Sequence, residues 1–176
     1  LLSVSLICDA DGKPQFFTSQ IQDFSKIKAY EEELLKLASE DYLTRIGNRR
    51  FFYEQASREI KRSARSEEPL TLLLIDIDHF KNVNDTYGHE VGDGVLQQIA
   101  SICKNSIRSI DIMGRVGGEE FAILLLDTDY EGSHTTAERL RHNISNTDIK
   151  LRGNLLRTTV SIGAVTFWGD SKTIDF

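Results

Sequence analysis

Arg115-Val-Gly-Gly-Glu-Glu-Phe121 is the stretch on which the reading of this chain turns. Residues 121–126, all apolar, follow it without a break and predict a buried strand, and the short segment 111–116 predicts its partner. Two strands meeting at Gly117-Gly118 form a hairpin whose tip asks for positive φ, which glycine adopts without steric cost. A Gly-Gly tip also lets backbone N–H groups come close to a phosphate or a base. Glu119 and Glu120 flank the tip, and strand alternation points them to opposite faces, so one of them at most faces a given ligand. An ordinary surface hairpin with solvated glutamates reads the same way. A second carboxylate site upstream is what separates the two.

That upstream site closes residues 70–77, an apolar run without alternation that predicts a strand covered on both faces. It ends in Asp76-Ile-Asp78, and carboxylates at the carboxyl end of a buried strand stand where open sheets place ligands, although two aspartates finishing a strand in water fit equally. A polar segment, 81–89, leads into a helix over about 90–107 with Val91, Val95, Ile99 and Ile102 inward. Asp93 lies in its first turn, where the helix dipole alone favours a negative charge. Arg108-Ser-Ile-Asp111 follows; by itself it reads as an i,i+3 ion pair of little energetic weight. Beyond the hairpin, 131–143 predicts a helix with Ala137, Leu140 and Ile144 inward. A second hairpin joins 148–151 to 156–167, turning at Gly153-Asn154. This order of elements implies an α/β (α+β) sandwich with a mixed sheet and helices packed on it.

Toward the N-terminus, Asp41 to Arg50 ends one helix and starts another, with Asn48 as cap and Phe52, Ala56 and Ile60 stacked at i, i+4. Helix 25–39 carries Ile27, Tyr30, Leu34 and Leu37 at helical spacing. It is either an amphipathic helix on its own domain or a short coiled-coil linker pairing two chains, and fewer than three heptads do not separate these. Residues 1–24 alternate around an Asp9-Ala-Asp-Gly-Lys-Pro14 turn, with Leu2, Val4 and Leu6 on one face, as a hairpin too small to stand alone.

Composition narrows the classes. With 176 residues, 40% of them hydrophobic, the chain can bury an ordinary core. A net charge of −6 with no basic block excludes non-specific nucleic-acid binding, which needs many Lys/Arg contacts to phosphate. Cys8 and Cys103 lack metal-ligand spacing and fit a reducing, cytoplasmic setting. No run reaches membrane-span length and no signal peptide opens the chain. The sequence begins within a strand pattern, as a piece of a longer protein, such as a membrane-anchored one, would. His79, His89, His134 and His142 show no convergent spacing, and no Ser-His-Asp or Cys-His arrangement is present.

From Asp41 to its end the chain resembles a GGDEF domain, the diguanylate cyclase family. The residues that carry the resemblance are Gly117-Gly-Glu-Glu-Phe121, Asp41-x-Leu-Thr-x-x-x-Asn-Arg-Arg50, Asp76-Ile-Asp-His-Phe-Lys-Asn-Val-Asn-Asp-Thr-Tyr-Gly-His-Glu-Val-Gly-Asp93 and Val160-Ser-Ile-Gly163. The resemblance implies a palm-like fold similar to class III nucleotide cyclases, and condensation of two GTP into cyclic di-GMP by a homodimer in which each site binds one GTP. It implies Mg²⁺ or Mn²⁺ held by Asp76, Glu119 and the Ile77 carbonyl, with Glu120 as the second loop carboxylate, helping to activate the hydroxyl. Asn84 and Asp93 are implied to read guanine, Phe80, Lys81, Gly117 and Gly118 to approach the phosphates, and Arg115 to balance phosphate charge. Arg108 and Asp111 match the family's inhibitory product site. Residues 1–24 resemble the last two strands of a PAS sensor domain, and 25–40 a linker helix.

Two departures stand out. Arg45 occupies a position that is usually Gly in the family, and Gly47 one that is often Pro. The family's next helix, with a lysine and an arginine for the triphosphate, is absent after Phe176, and Lys172 does not replace it. The competing readings are a non-catalytic module binding cyclic di-GMP or GTP, a cyclase of altered base choice, and a purely structural domain. Retention of Asp76, Asp93, Glu119 and Glu120 weighs against all three.

Overall fold

Two units divide the chain, residues 1–38 and 39–176. The structure, a computed structural model, describes residues 2–21 and 23–168. In the first unit, β1 (Leu2–Cys8) and β2 (Pro14–Ile21) form an antiparallel hairpin with a register slip at Ile7/Cys8. Its turn is built on Asp9, whose carboxylate accepts from the N–H groups of Asp11 (3.1 Å) and Lys13 (2.9 Å), while Gly12 takes φ +80°. The side chains of Leu2 and Val4, expected to share a face with Leu6, lie outside the described residues, as does Lys172. Helix α1 (Ser25–Ser39) follows, with Ile27, Tyr30, Leu34 and Leu37 all exposed.

The second unit runs α2 (Arg49–Ser66), β3 (Leu70–Ile77), α3 (Phe80–Tyr87), α4 (His89–Ser106), β4 (Ile112–Arg115), β5 (Glu120–Leu125), α5 (Tyr130–Ser145), β6 (Ile149–Leu151), β7 (Asn154–Leu156) and β8 (Val160–Phe167). The main sheet has the order β4-β5-β3-β8, and each pairing is antiparallel, where the order of elements had suggested a mixed sheet. The reason is interleaving. Strands that run the same way, β3 with β4 and β5 with β8, are each held apart by a strand of the opposite sense. Among the described residues, parallel pairing is confined to one bridge, Gly47 to Gly114, which attaches the 40–48 turn to the β4 edge. The predicted second hairpin also differs. Residues 149–151 pair with 154–156 around Arg152 (φ 49°) and Gly153 (φ 82°), and β8 leaves to join β3 in the main sheet.

Alternation along β3 and β5 sorts side chains onto two faces. Leu73, Ile75, Ile77, Phe121, Ile123 and Leu125 pack with Val95, Ile99, Leu140 and Ile144 of α4 and α5. Leu70, Leu72, Ala122 and Leu124 pack with Phe52 and Ala56 of α2. The α2 layer stops short of the carboxyl end of β3, so that Leu72 is 8% exposed but Leu74 is 53% exposed, with Asp76 beyond it also open. Asn48 caps α2 by accepting from the Phe51 N–H at 2.9 Å, as predicted.

Candidate active site

Register decides which carboxylates meet. Asp76 on β3 lies directly opposite Glu120 on β5 and Ser161 on β8, so the side chains of Asp76 and Glu120 share one open face. They border a cleft of about 220 Å³ with Leu74, Val116, Ser161 and Gly163. Two like charges directly across a strand pair repel unless something neutralises them. Among the described residues no group of three His, Cys, Asp or Glu side chains gathers to cage a metal. A hard cation that keeps waters and substrate phosphates as its other ligands needs only one or two carboxylates, and these residues fit such an ion. Asp78, by contrast, is occupied. Its carboxylate accepts from the hydroxyls of Thr159 (2.5 Å) and Ser161 (2.7 Å), which hold it below the usual carboxylate range and tie the end of β3 to β8.

Glu119 is half-buried at the hairpin tip, just outside β5. Neither Gly117 nor Gly118 adopts the positive φ expected of the tip. At Gly117 the end of the flexible Glu120 side chain lies where a Cβ would be and would have to swing aside, whereas Gly118 is open. The hairpin is closed by Val116 N–H donating to the Glu120 carbonyl at 3.0 Å.

Arg115 is the main correction. Its Nε and Nη2 donate to the Gly118 carbonyl (3.2 and 2.6 Å), and its Nη1 donates to Asp41 Oδ1 at 3.2 Å. The guanidinium is thus committed to the protein, bracing the tip against the 41–46 turn rather than facing phosphate. Asp41 in turn accepts from the Thr44 N–H (2.9 Å) and hydroxyl (2.6 Å). Burial pushes its carboxyl up, but the Thr44 hydrogen bonds and Arg115 outweigh burial and hold it below the ordinary value. Sequence reading assigned Asp41 and Thr44 only to a resemblance; their partner is distant in the chain, so spacing carried no signal of the contact.

The other predicted residues divide by place. Asn84 lies late in α3 and Asp93 in the first turns of α4, and the Asn84 amide oxygen fills the space a Cβ on Gly92 would need. Gly88, at φ +84°, makes the break between the two helices, so the two polar groups stand on adjoining helix turns. The Phe80 side chain is 6% exposed and belongs to the core, so only its backbone, in the first turn of α3, is left for the phosphates beside which it was expected. Ile77 is 1% exposed, leaving only its backbone for a ligand. Lys81 is exposed at the start of α3, a helix without a side-chain N-cap bond.

Arg108 and Asp111 do not form the bare ion pair. Asp111 accepts from the Arg108 N–H (2.9 Å) and the Leu126 N–H (3.2 Å), pinning the base of the β4 and β5 hairpin. Both residues border a cavity of about 520 Å³ that Arg139, Thr136 and Asn143 also line. Arg139 was missed in the sequence because α5 brings it there only by packing across α4; its Nη2 donates to the Ser106 carbonyl at 2.8 Å.

Comparison with known proteins agrees with this geometry. A family model described as diguanylate cyclase, GGDEF domain, matches residues 38–175. The response regulator PleD of Caulobacter vibrioides is 35% identical over 169 residues, covering 91% of this chain and 37% of PleD. The probable diguanylate cyclase DgcT of Escherichia coli is 41% identical over 135 residues, covering 73% of this chain and 28% of DgcT. This chain therefore spans well under half the length of either relative. Among solved structures, the coiled coil and GGDEF domain of DgcB from Caulobacter crescentus, in complex with c-di-GMP, superposes with a TM-score of 0.76 at 29% identity, covering 81% of this chain and 76% of that one.

Proposed function

Because this chain belongs to the GGDEF family of diguanylate cyclases, we propose that it condenses two GTP molecules into cyclic di-GMP and releases two pyrophosphates. The observation that carries this reading is the Asp76 and Glu120 pair, two carboxylates face to face at the uncovered end of a buried strand pair, beside a glycine-tipped hairpin. In each half-reaction the 3′-oxygen of one GTP bonds to the α-phosphorus of the other. The bond from that phosphorus to the β-phosphate oxygen breaks, and pyrophosphate leaves. Glu120 accepts the hydroxyl proton and passes it to water. Asp76 and Glu119, with the Ile77 carbonyl, would hold Mg²⁺ or Mn²⁺ and so supply charge neutralisation at the triphosphate; Glu119 lies just before β5 and is not bound by the alternation that turns Glu120 to the Asp76 face.

The remaining residues orient substrate. Asp93, backed by Asn84, accepts from guanine N1–H and N2–H₂, a pair adenine lacks. Lys81 and the uncapped first turn of α3 meet the phosphates. Gly117-Gly118 keeps the tip thin where the nucleotide passes, and Arg115 positions that tip from behind. Each site takes one GTP, so two copies must face each other. The exposed stripe of α1 supports pairing as a homodimer, and the hairpin before it supports a PAS-like sensor as the source of control. Product inhibition is assigned to Arg108 and Asp111, with Arg139 across the same cavity.

The test is incubation of the full-length protein with GTP and Mg²⁺, with products identified by mass spectrometry. Cyclic di-GMP is the expected product, and Glu119→Gln is expected to lower turnover by at least about a hundredfold with thermal unfolding unchanged. Retained turnover in that variant removes Glu119 from the metal assignment. Saturable GTP binding with no product replaces the cyclase with a binding module.

A further inference from the structure

Asp93 stands between two glycines of α4, Gly92 and Gly94, and a neighbouring element crowds each of them. The Asn84 amide oxygen occupies the place of a Cβ on Gly92. The branched end of Leu151 occupies that of a Cβ on Gly94, with Cδ1 and Cδ2 2.7 and 2.8 Å from it. A glycine inside a helix weakens it, and here the missing Cβ lets the β6–β7 hairpin come up against the helix backbone. Ile149 and Leu156, paired across that hairpin, are 1% and 7% exposed and fix it to the core that α4 and α5 share. Leu151 is half-buried against the same core. At the hairpin tip Arg152 takes φ 49°, a conformation that a residue with a Cβ keeps where its surroundings hold it. Its Nη1 pairs with Glu90 Oε2 at 2.5 Å, and Glu90 lies one helical turn before Asp93 and Gly94. This pair is open to water and of little weight by itself, but it marks how the tip leans over the first turn of α4.

We propose that the β6–β7 hairpin is a specificity element for the purine, in which Leu151, seated on Gly94, is the positioning residue that sets the angle of the Asp93 carboxylate. The inference rests on the reading of Asp93 as the acceptor for guanine N1–H and N2–H₂. A bidentate contact depends on angle, and a small rotation of the first turns of α4 breaks one of its two hydrogen bonds before the other. The direction of the Asp93 side chain follows the backbone of 92–94, which Asn84 grips on one side and Leu151 on the other. Leu151 has no polar atom to offer a base, so its effect reaches the purine through Asp93 alone.

The test is titration calorimetry of the full-length protein with GTP and with inosine triphosphate, which keeps N1–H and lacks the 2-amino group. Divalent cations are withheld so that binding is read without turnover. The wild-type protein should prefer GTP. Leu151→Ala empties the space on Gly94 and is expected to cut that preference about three- to tenfold, chiefly by weakening GTP. Gly94→Ala displaces the Leu151 tip while favouring the helix, and should cut it similarly, so the test does not hang on one variant folding. The double variant returns a methyl group to the vacated space and should restore much of the preference. If the variants lose affinity for both nucleotides alike, or lose only melting temperature, the hairpin is merely structural and the inference is overturned. A wild-type protein without preference, or without binding, overturns it together with the role of Asp93. A preference that falls in the single variants and returns in the double supports it even where turnover yields no cyclic di-GMP; only the cyclase reading then fails.

Discussion

Arg115 and Asp41 are 14% and 17% exposed at their side chains, a pair shielded enough that removing one partner leaves the other charged and poorly solvated. Since Arg115 braces the Gly118 carbonyl rather than substrate, its loss should loosen the hairpin tip without removing a substrate contact. Arg115→Ala is expected to lower kcat about ten- to a hundredfold with a much smaller change in the KM for GTP. A dominant rise in KM would return Arg115 to the phosphates. The same pair has a pH signature. The Asp41 carboxyl titrates below its ordinary value of 3.8 in the folded protein, so its contribution to stability is complete above that value and is lost as pH falls through the native one. Acid unfolding of the wild-type protein should therefore steepen below about pH 4, with a shallower fall in Asp41→Asn. Superimposable acid profiles would exclude the pair as a source of stability. Asp78 titrates in the same direction and remains in both proteins, so the difference between the profiles isolates Asp41.

At the scale of elements, the proposed purine end of the site depends on how closely α3 meets α4. Their approach places the Asn84 amide oxygen where any side chain at position 92 would begin, so Gly92 is needed for room rather than for conformation. Gly92→Ala should displace Asn84 and raise the KM for GTP roughly tenfold while kcat changes less, and a structure of the variant should show the amide rotated away. An unchanged KM would remove Asn84 from guanine recognition. The same kind of close approach joins the 40–48 turn to β4. A Cβ on Gly47 would meet the Met113 carbonyl at 2.7 Å, and one on Gly114 would meet Phe52 Cβ at 2.7 Å. Arg115 N–H donates to the Gly47 carbonyl at 2.8 Å, so the turn behaves as an added edge of the main sheet.

For the whole molecule, the proposed reaction requires two copies of the site to come together. Helix α1 presents Leu34 at 65% and Leu37 at 70% exposure, in line with Ile27 and Tyr30, an apolar stripe with nothing over it among the described residues. Pairing along that stripe would join two chains in parallel and make turnover depend on chain concentration. Leu34→Asp combined with Leu37→Asp should shift the protein to monomer in light scattering and lower specific activity at low concentration by about tenfold or more, with partial recovery at high concentration. Full activity from a monomeric variant would exclude α1 as the pairing element.

Much of this protein was legible before any tertiary structure. The strand 70–77 (though covered on both faces only as far as Leu73, not throughout as expected), the cap at Asn48, the helix carrying Val95 and Ile99 and the hairpin before Phe121 are written in local periodicity and cap chemistry, which act between residues close in sequence. Chemistry-bearing residue types in Asp76-Ile-Asp78 and Gly-Gly-Glu-Glu were equally plain. What folding alone decided is which of them meet. Strand register sets Glu120 opposite Asp76 and gives Asp78 to the hydroxyls of Thr159 and Ser161. Packing sends Phe80 into the core, turns Arg115 inward to Asp41, and brings Arg139 and Arg45 to opposite sides of the 108–111 turn. These contacts join residues far apart in the chain, and their energy exists only once the backbone between them has been ordered. No local pattern records them.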